Sequence, residues 1–371
     1  MPEIDPNLIA RHVVWMAFAL GAAFGALAQR THFCTMGAVA DIVTMGDWTR
    51  MRMWVLAIAV AILGFNGMVA LGWVEAGKSL YAGPHLAWAS VLLGGLLFGF
   101  GMVIASGCGS RNLVRLGGGN LKSLVVLLVL AVAAFATLKG LTATWRVATI
   151  DRVAIDLPTG QDLPSLLAAG GGWPVPRVAA VLGTLVGLAL IGWVLRRPQG
   201  RGGAVWSGGA GIGLVIVLLW WASGRYGHLA EDPRTLEEAF LATNSHRMEA
   251  LSAVGPVAYA LEWLLYTSDA SMKLTLGIAA VAGIAVGAWA MALARREFRW
   301  EGFANASDTA HHLTGGALMG VGGVLALGCT IGQGLSGVST LSVGSLLALA
   351  ALVGGALVGL RYQEWRLERS A

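Results

Sequence analysis

The sequence predicts an all-α integral membrane protein with about nine transmembrane helices, arranged as inverted repeats with re-entrant Gly-Cys loops and short helices. Hydrophobic residues make up 56% of the 371 residues and charged residues only 12%, whereas about a quarter of the residues are charged in soluble domains. Apolar stretches near or above the roughly 18 residues that span a bilayer recur along the chain. The 53 glycines are spread through these stretches, as membrane helices tolerate. The predicted spans are 8–29, 52–74, 86–106, 121–142, 177–195, 203–222, 273–294, 310–328 and 340–362.

The predicted spans form a single membrane domain over residues 1–371. No shift in composition marks a linker or a soluble domain, so the long polar connections 143–176 and 223–272 are predicted to be loops. The first helix is expected to be retained, because the residues before it are acidic rather than basic, unlike those of a signal peptide. We expect a first repeat half, an external loop and a second repeat half at 1–145, 146–177 and 178–371.

Lysine and arginine residues cluster next to alternate ends of the predicted spans, for example at Arg295 and Arg296. Alternating crossings place these clusters on one side of the membrane, which the positive-inside rule makes the cytoplasm. The N-terminus is then expected outside and the C-terminus inside. Arg146, Arg152 and Arg177 fall in an outside loop, but that loop is long enough for its charges to be weak determinants.

A repeat connects all three cysteines of the chain. The sequence reads GGLLFGFGMVIASGCG around Cys108 and GGALMGVGGVLALGCT around Cys329. At one constant offset, the first set matches the second: Gly94, Gly95, Gly99, Gly101, Gly107 and Cys108 with Gly315, Gly316, Gly320, Gly322, Gly328 and Cys329. Gly21 and Gly25 precede Cys34 at the same spacing, and a weaker fourth copy leads to Ala222.

Each part of this repeat has a simpler interpretation when it is taken alone. Gly-x-x-x-Gly commonly lets two membrane helices pack closely, and a buried cysteine usually behaves as a small hydrophobic residue. Disulfides are not expected from an odd number of cysteines without bridge spacing. A metal site would need clustered His or Met ligands beside the thiols. The shared repeat position of all three cysteines favours a common function instead.

The predicted crossings place the Cys34 and Cys108 turns and the Ala222 and Cys329 turns on opposite sides of the membrane. Inverted repeats of this kind carry substrate sites at the midplane, and non-helical backbone is tolerated there only inside protein or along a cavity. The segment GCTIGQGLSG is therefore predicted to be a re-entrant turn that points a thiol and backbone amides at a pathway. Short helices that start near Asn112 and Leu335 would direct their positive ends at an anion.

The residue types along this pathway limit the substrate. The spans contain no paired carboxylates, and the chain has no Ser-His-Asp arrangement, Walker sequence or zinc spacing, so neither an enzyme nor an ATPase is expected. The net charge of +5 is mild, but there is almost no acid in the core, which suits an anion. A thiol is a weak hydrogen-bond donor that prefers soft, polarizable partners. Cysteines along an anion path therefore indicate an anion with a soft sulfur end.

Long segments of the chain are similar to a known family. They are RTHFCTMGAVADI, GFGMVIASGCGSRNLVRLG, WASGRYGHLAEDP, REFRWEGF and above all GALMGVGGVLALGCTIGQGLSGVSTLS. Across essentially the whole chain, the sequence resembles the YeeE/YedE family of bacterial sulfur-transport membrane proteins. The resemblance implies an hourglass-shaped inverted-repeat bundle that takes up thiosulfate, with a role in uptake for Cys34, Cys108 and Cys329. It also implies a small TusA-like sulfur carrier as the cytoplasmic partner, here expected to be a separate protein.

The expected function is thiosulfate uptake across the bacterial inner membrane, with the ion passing between thiols through S–H···S contacts. Backbone amides and nearby hydroxyls are expected to receive its sulfonate oxygens. The expected pathway residues are Cys34, Cys108, Cys329, Gly107, Gly109, Ser110, Gly328, Thr330 and Gln333. Gln333 and Arg111 also have the simpler interpretation of capping a short helix or meeting lipid headgroups.

Three alternatives remain open at this point. The cargo of the transporter could be another sulfur or selenium anion. A membrane sulfurtransferase would instead pass sulfane sulfur inward as a cysteine persulfide, which needs an activated thiolate, and only His32 lies near enough to a cysteine to suggest one. A copper-type metal transporter is the third. The expected partners are the thiosulfate ion, the lipid bilayer and the TusA-like carrier, without a cofactor, a bound metal or a nucleic acid.

Overall fold

The computed structural model describes residues 5–233, 235–269 and 272–370, and these residues form fourteen α-helices. The helices are α1 (Pro6–Thr31), α2 (Thr35–Met45), α3 (Thr49–Ala70), α4 (Trp88–Ile104), α5 (Gly109–Gly117), α6 (Leu121–Lys139), α7 (Leu141–Ala148), α8 (Leu163–Gly171), α9 (Val175–Leu195), α10 (Gly203–Trp221), α11 (Val254–Leu265), α12 (Leu276–Ala294), α13 (Ala306–Leu325) and α14 (Val343–Ser370).

Shorter elements join these helices. Short 3₁₀ turns lie at Ala76–Lys78, Ile150–Arg152 and Pro198–Arg201, and π-helical turns at Ala222–Tyr226 and Gly332–Gly337. Two-residue strands form antiparallel pairs: β1 (His85–Leu86) with β2 (Ile155–Asp156), and β3 (His228–Leu229) with β4 (Ala239–Phe240).

Eight helical stretches in the described chain are long and apolar enough to cross a membrane. They are Pro6–Met45, Thr49–Ala70, Trp88–Gly117, Leu121–Lys139, Val175–Leu195, Gly203–Tyr226, Leu276–Ala294 and Val343–Arg369. The remaining predicted span, 310–328, coincides with α13, which packs against α4 and α6. Its first two turns contain Asp308, His311 and His312, and these polar residues lower its hydropathy. The prediction of an all-α, multi-pass membrane protein is confirmed.

The polar connections contain more regular structure than the sequence indicated. Residues 143–176 and 223–272 were expected to be loops, but they include most of α7, all of α8 and α11, and strands of both pairs. α11 buries Val254, Ala258 and Glu262, which lie four residues apart on one helical face, and it packs against α6, α12 and α13. A buried face of so few residues gives a weak hydropathy signal, which explains why the sequence did not reveal this helix.

The helices include two sets of four. The same pairs of helices are in contact when each helix is replaced by the corresponding helix of the other set. The first set is α1, α3, α4 and α6, and the second is α10, α12, α13 and α14. α1 packs against α12 as α10 packs against α3, and α4 packs against α14 as α13 packs against α6. α9 lies outside this exchange and packs mainly against α3. Because α9 adds one helix between the sets, alternating crossings would give the sets opposite directions, as an inverted repeat requires.

Glycines allow the helices of different sets to approach backbone to backbone. A methyl group at Gly25 would overlap a carbonyl of α12, and one at Gly287 would overlap a carbonyl of α1. Gly99 and Gly355 have the same relationship where α4 crosses α14. The Gly-x-x-x-Gly spacing therefore serves close helix packing. This packing fixes the ends of α1 and α4, which the cysteines follow.

Candidate anion pathway at three cysteine turns

The helices before the three cysteines end in the same way. In each, the residue two before the cysteine is left-handed: His32 with φ 54°, Ser106 with φ 56° and Leu327 with φ 56°. The next residue donates its N–H to the carbonyl five residues back, in Phe33–Ala28 (3.2 Å), Gly107–Met102 (2.8 Å) and Gly328–Gly323 (2.8 Å). This hydrogen bond and the left-handed residue form a Schellman motif, which ends a helix sharply. The predicted helix breaks at the Gly-Cys positions are present, and the same break occurs at Cys34.

A new helical turn starts directly after each cysteine. The carbonyl of each cysteine accepts a hydrogen bond from the N–H four residues on, at Ala38 (2.9 Å), Asn112 (2.9 Å) and Gln333 (2.8 Å). α5 therefore starts at Gly109, slightly before the expected Asn112, and the turn after Cys329 is the π-helical segment rather than an α-helix. The sequence did not predict α2, although the repeat position of Cys34 carried that signal.

The fourth copy of the repeat does not break, so the prediction of a turn at Ala222 is wrong. α10 continues through Ala222 into a π-helical turn, which ends where the Gly227 N–H donates to the Ala222 carbonyl at 2.9 Å. The position two before Ala222 is Trp220, which is fully buried and whose indole N–H donates to Ser339 at 3.0 Å. This packing holds Trp220 within the helix instead of in a left-handed conformation.

The three thiols are free. Cys108 and Cys329 are buried, whereas Cys34 is partly exposed. Cys108 is close enough to both Cys34 and Cys329 to interact with them electrostatically. The sulfur of Cys34 accepts the Gly37 N–H at 3.3 Å, and that of Cys329 accepts the Gly332 N–H at 3.4 Å. The turns therefore bring Cys108 near both of the other cysteines.

The thiols of Cys34 and Cys108 border the same small cavity. Cys34, Cys108, Ser110 and Arg111 line it, together with Ile331 from the Cys329 turn. Its volume is about 10 Å³, which is room for about one water molecule. This cavity is thus too small for any larger molecule in this conformation.

Two buried hydroxyls beside the cysteines have no hydrogen-bond partner among the described residues. They belong to Thr35 and Thr330, each of which directly follows a cysteine, and which are 4% and 0% exposed. A buried polar group without a partner costs free energy, so such groups call for an explanation. Thr330 is among the residues predicted from the sequence and Thr35 is not, although the repeated Cys-Thr pair is a signal for both. Ser110 differs, because its hydroxyl lies 3.3 Å from the Cys108 sulfur.

The amides that follow the turns hold the turns together. The Gln333 side chain donates to the Ala326 carbonyl at 2.5 Å and accepts from the Ser345 hydroxyl at 2.6 Å. The Asn112 side chain donates to the Gly107 carbonyl at 2.9 Å. Gln333 therefore supports the shape of the Cys329 turn, and its amide is already engaged by the protein.

The glycines at the turns are close to the chain that follows them. A Cβ on Gly328 would lie 3.1 Å from the Gln333 nitrogen, and one on Gly107 would lie 3.2 Å from the Arg111 Cγ. Gly109 is less confined, because its nearest contact would be an ordinary 3.4 Å. Gly107 and Gly328 thus keep the turns compact.

A much larger cavity lies elsewhere among the described residues. It has a volume of about 1290 Å³ and is bordered by α1, α11, α12 and the segment 235–246. None of the three cysteines lines it. This cavity therefore does not include the residues that the repeat points to, which lie at the cysteine turns.

Comparison with known proteins identifies the family of this chain. A family model described as sulphur transport matches residues 30–358. The chain is 28% identical over 324 residues to the thiosulfate transporter TsuA of Escherichia coli. The matched region makes up 85% of this chain and 84% of that protein. The chain is also 24% identical over 338 residues to the thiosulfate transporter TsuA of Spirochaeta thermophila. That matched region makes up 88% of this chain and 92% of the relative. The resemblance to the YeeE/YedE family is thereby confirmed, and the chain belongs to the sulphur-transport family.

Proposed function

We propose that this protein takes up thiosulfate across the bacterial inner membrane, through a pathway lined by Cys329, Cys108 and Cys34. The observation that carries the proposal is the coincidence of a thiol with a helix break at three equivalent turns, two of which add a buried hydroxyl without a partner. Two relatives that match most of the chain are named thiosulfate transporters, which supports the choice of substrate.

Each turn would contact both ends of the ion. The terminal sulfur of thiosulfate is soft and suits the thiols, which are weak donors. The sulfonate oxygens accept hydrogen bonds, and the hydroxyls of Thr330 and Thr35 are free to donate them. The first N–H groups of α2 and α5 have no partner within their helices, and a helix N-terminus favours an anion.

Movement through the pathway needs a change of conformation. The cavity between Cys34 and Cys108 has room for about one water molecule, so the turns must separate before an ion can pass. Cys108, which interacts with both of the other cysteines, would pass the soft end of the ion from Cys329 to Cys34. No bond to sulfur forms or breaks in this scheme, so the protein is a transporter rather than an enzyme.

The distribution of arginine residues supports an orientation of the chain in the membrane, and the family resemblance supports a cytoplasmic partner. We assign the N-terminus to the outside and the C-terminus to the cytoplasm, because the arginine clusters then face the cytoplasm. The ion is taken up at the Cys329 turn and released at the Cys34 turn. The proposed cytoplasmic partner is a separate TusA-like sulfur carrier.

A sulfurtransferase is less well supported by the surroundings of Cys34. The residue expected to activate that thiol, His32, is exposed at the left-handed end of α1. Thiosulfate that carries different labels on its two sulfurs separates the two functions in proteoliposomes. Transport delivers both labels to the interior in equal amounts, whereas a transferase delivers the outer sulfur alone.

Growth provides the test of the function in cells. A bacterial strain without its own thiosulfate uptake should grow on thiosulfate as the sole sulfur source when it expresses this protein. Growth on sulfate in a strain without sulfate uptake should not be restored. Rescue on sulfate alone, or on neither anion, would contradict the proposal.

A further inference from the structure

Arg111 is a partly buried cation beside two of the thiols. It lies on α5, three residues after Cys108, and lines the cavity that Cys34 and Cys108 share. Its Nη1 is buried and has no hydrogen-bond partner among the residues that the structure describes. An unpaired charge inside a membrane protein is costly, and such residues commonly mark an ion pathway.

The groups around Arg111 do not neutralise it. Those that interact with it most strongly are Cys34, Cys108, Arg115 and Arg50, none of which is a carboxylate. Arg50 is already paired with Asp41 at 2.5 Å, and Arg115 donates to a backbone carbonyl. The positive charge of Arg111 is therefore left for a ligand.

A second group in the cavity points to an oxyanion. Thr35 also lines it, and its hydroxyl is buried without a partner in the described chain. The cavity thus offers a guanidinium and a free hydroxyl to hard oxygens, and two thiols to a soft sulfur. The other two turns have Gly37 and Gly332 at the position of Arg111, so the repeat carries this charge at one turn only.

We propose that Arg111 and Thr35 form an inner binding site for a dianion that has a tetrahedral oxygen-bearing centre and a terminal sulfur. The guanidinium and the hydroxyl hold the oxygens, while the terminal sulfur lies between Cys34 and Cys108. The site forms when the turns separate, since the closed cavity holds about one water molecule. Arg111 thereby favours an ion with two negative charges, and the thiols favour an ion with a soft terminal sulfur. This inference rests on the proposed function.

Binding of ³⁵S-labelled thiosulfate to the purified protein tests the site. Arg111→Gln should weaken binding by about 30-fold or more, because it removes the cation that pairs with the bound ion. Arg111→Lys keeps the charge but not the two-pronged geometry, so it should fall between the wild type and the Gln variant. The exposed Arg361 provides the control, and Arg361→Gln should bind within about twofold of the wild type.

The ratio of the affinities for two related anions distinguishes a role of Arg111 in recognising the ion from a role in the structure alone. Methanethiosulfonate keeps the terminal sulfur but replaces one oxygen with a methyl group, so it carries one negative charge less. The wild type should prefer thiosulfate, and Arg111→Gln should lose most of that preference. If the Gln variant does not purify as a folded protein, the ratio of the affinities for thiosulfate and methanethiosulfonate is measured in Arg111→Lys. That ratio should fall by less, because lysine keeps the charge but not the two-pronged geometry.

The outcomes distinguish this inference from the function on which it rests. Wild-type thiosulfate transport with an unchanged affinity and ratio in the Arg111 variants would overturn the inner site alone. Equal loss of affinity for both ions would assign Arg111 a structural role and would also overturn it. A wild-type protein that neither binds nor transports thiosulfate would refute the proposed function itself.

Discussion

Ser106 and Leu327 share one left-handed backbone conformation, with φ 56° in both, and each lies two residues before a cysteine. The left-handed conformation costs a non-glycine residue roughly 1–2 kcal/mol. Such strain persists where the surrounding structure determines the conformation, and it is frequent at functional sites. The turn at Cys108 and the turn at Cys329 are thus two copies of one strained device that ends a helix at a thiol.

Relief of this strain gives a first prediction. Leu327→Gly should keep the turn and leave the melting temperature equal or higher, because glycine adopts this conformation without strain. Leu327→Val should lower the melting temperature by several degrees, since a β-branched side chain is strained further. The side chain is 44% exposed, so lost packing is a minor effect. Thermal unfolding in detergent measures both, and a Gly variant less stable than the Val variant would contradict the shared turn.

The unpartnered hydroxyls give a second prediction. Thr330→Val and Thr35→Val replace each hydroxyl with a methyl group of similar size, so a buried polar group without a partner is removed. The melting temperature should stay equal or rise. Initial uptake rates for thiosulfate should nevertheless fall about tenfold, since a hydrogen bond to a charged group contributes about 1.5–3 kcal/mol.

A matched control lies in the same buried region. The hydroxyl of Thr340 is also fully buried, but it donates to the Gly337 carbonyl at 2.7 Å. Thr340→Val should therefore lower the melting temperature by an amount that corresponds to about 1 kcal/mol. If Thr330→Val destabilised the protein as much as Thr340→Val and left uptake unchanged, the hydroxyl would have a structural partner and no role toward the ion.

The sequence predicted the cysteine turns because their determinants are local and repeated. Glycine spacing, a Gly-Cys pair and an interrupted apolar run recur at Cys108 and Cys329, so one break supports the other. The error at Ala222 has the opposite cause: the copy has the spacing, but the packing of Trp220 keeps the helix intact. The position of Arg111 beside Cys34 was equally hidden, since the Cys34 turn is far away in the sequence.

The sidedness of the thiols gives a third prediction. In variants that keep one cysteine each, a small membrane-impermeant thiol reagent should modify Cys34 mainly in inside-out vesicles, because Cys34 is partly exposed. Cys329 is fully buried, so it should react slowly and mainly in intact cells. Thiosulfate should slow both reactions more than sulfate, which lacks a soft terminal sulfur. Equal reaction of Cys34 and Cys329 from one side would contradict the inverted arrangement.

The central claim is that the ion passes along the three thiols, and the initial rate of labelled thiosulfate uptake into proteoliposomes tests it most directly. The wild type is compared with Cys34→Ser, Cys108→Ser and Cys329→Ser, each checked for an unchanged melting temperature. Serine keeps a donor of similar size but is a harder partner for sulfur. The account predicts a loss of at least about tenfold in Cys108→Ser and Cys329→Ser, corresponding to roughly 1.4 kcal/mol. Near-normal uptake by these two folded variants would contradict the cysteine pathway.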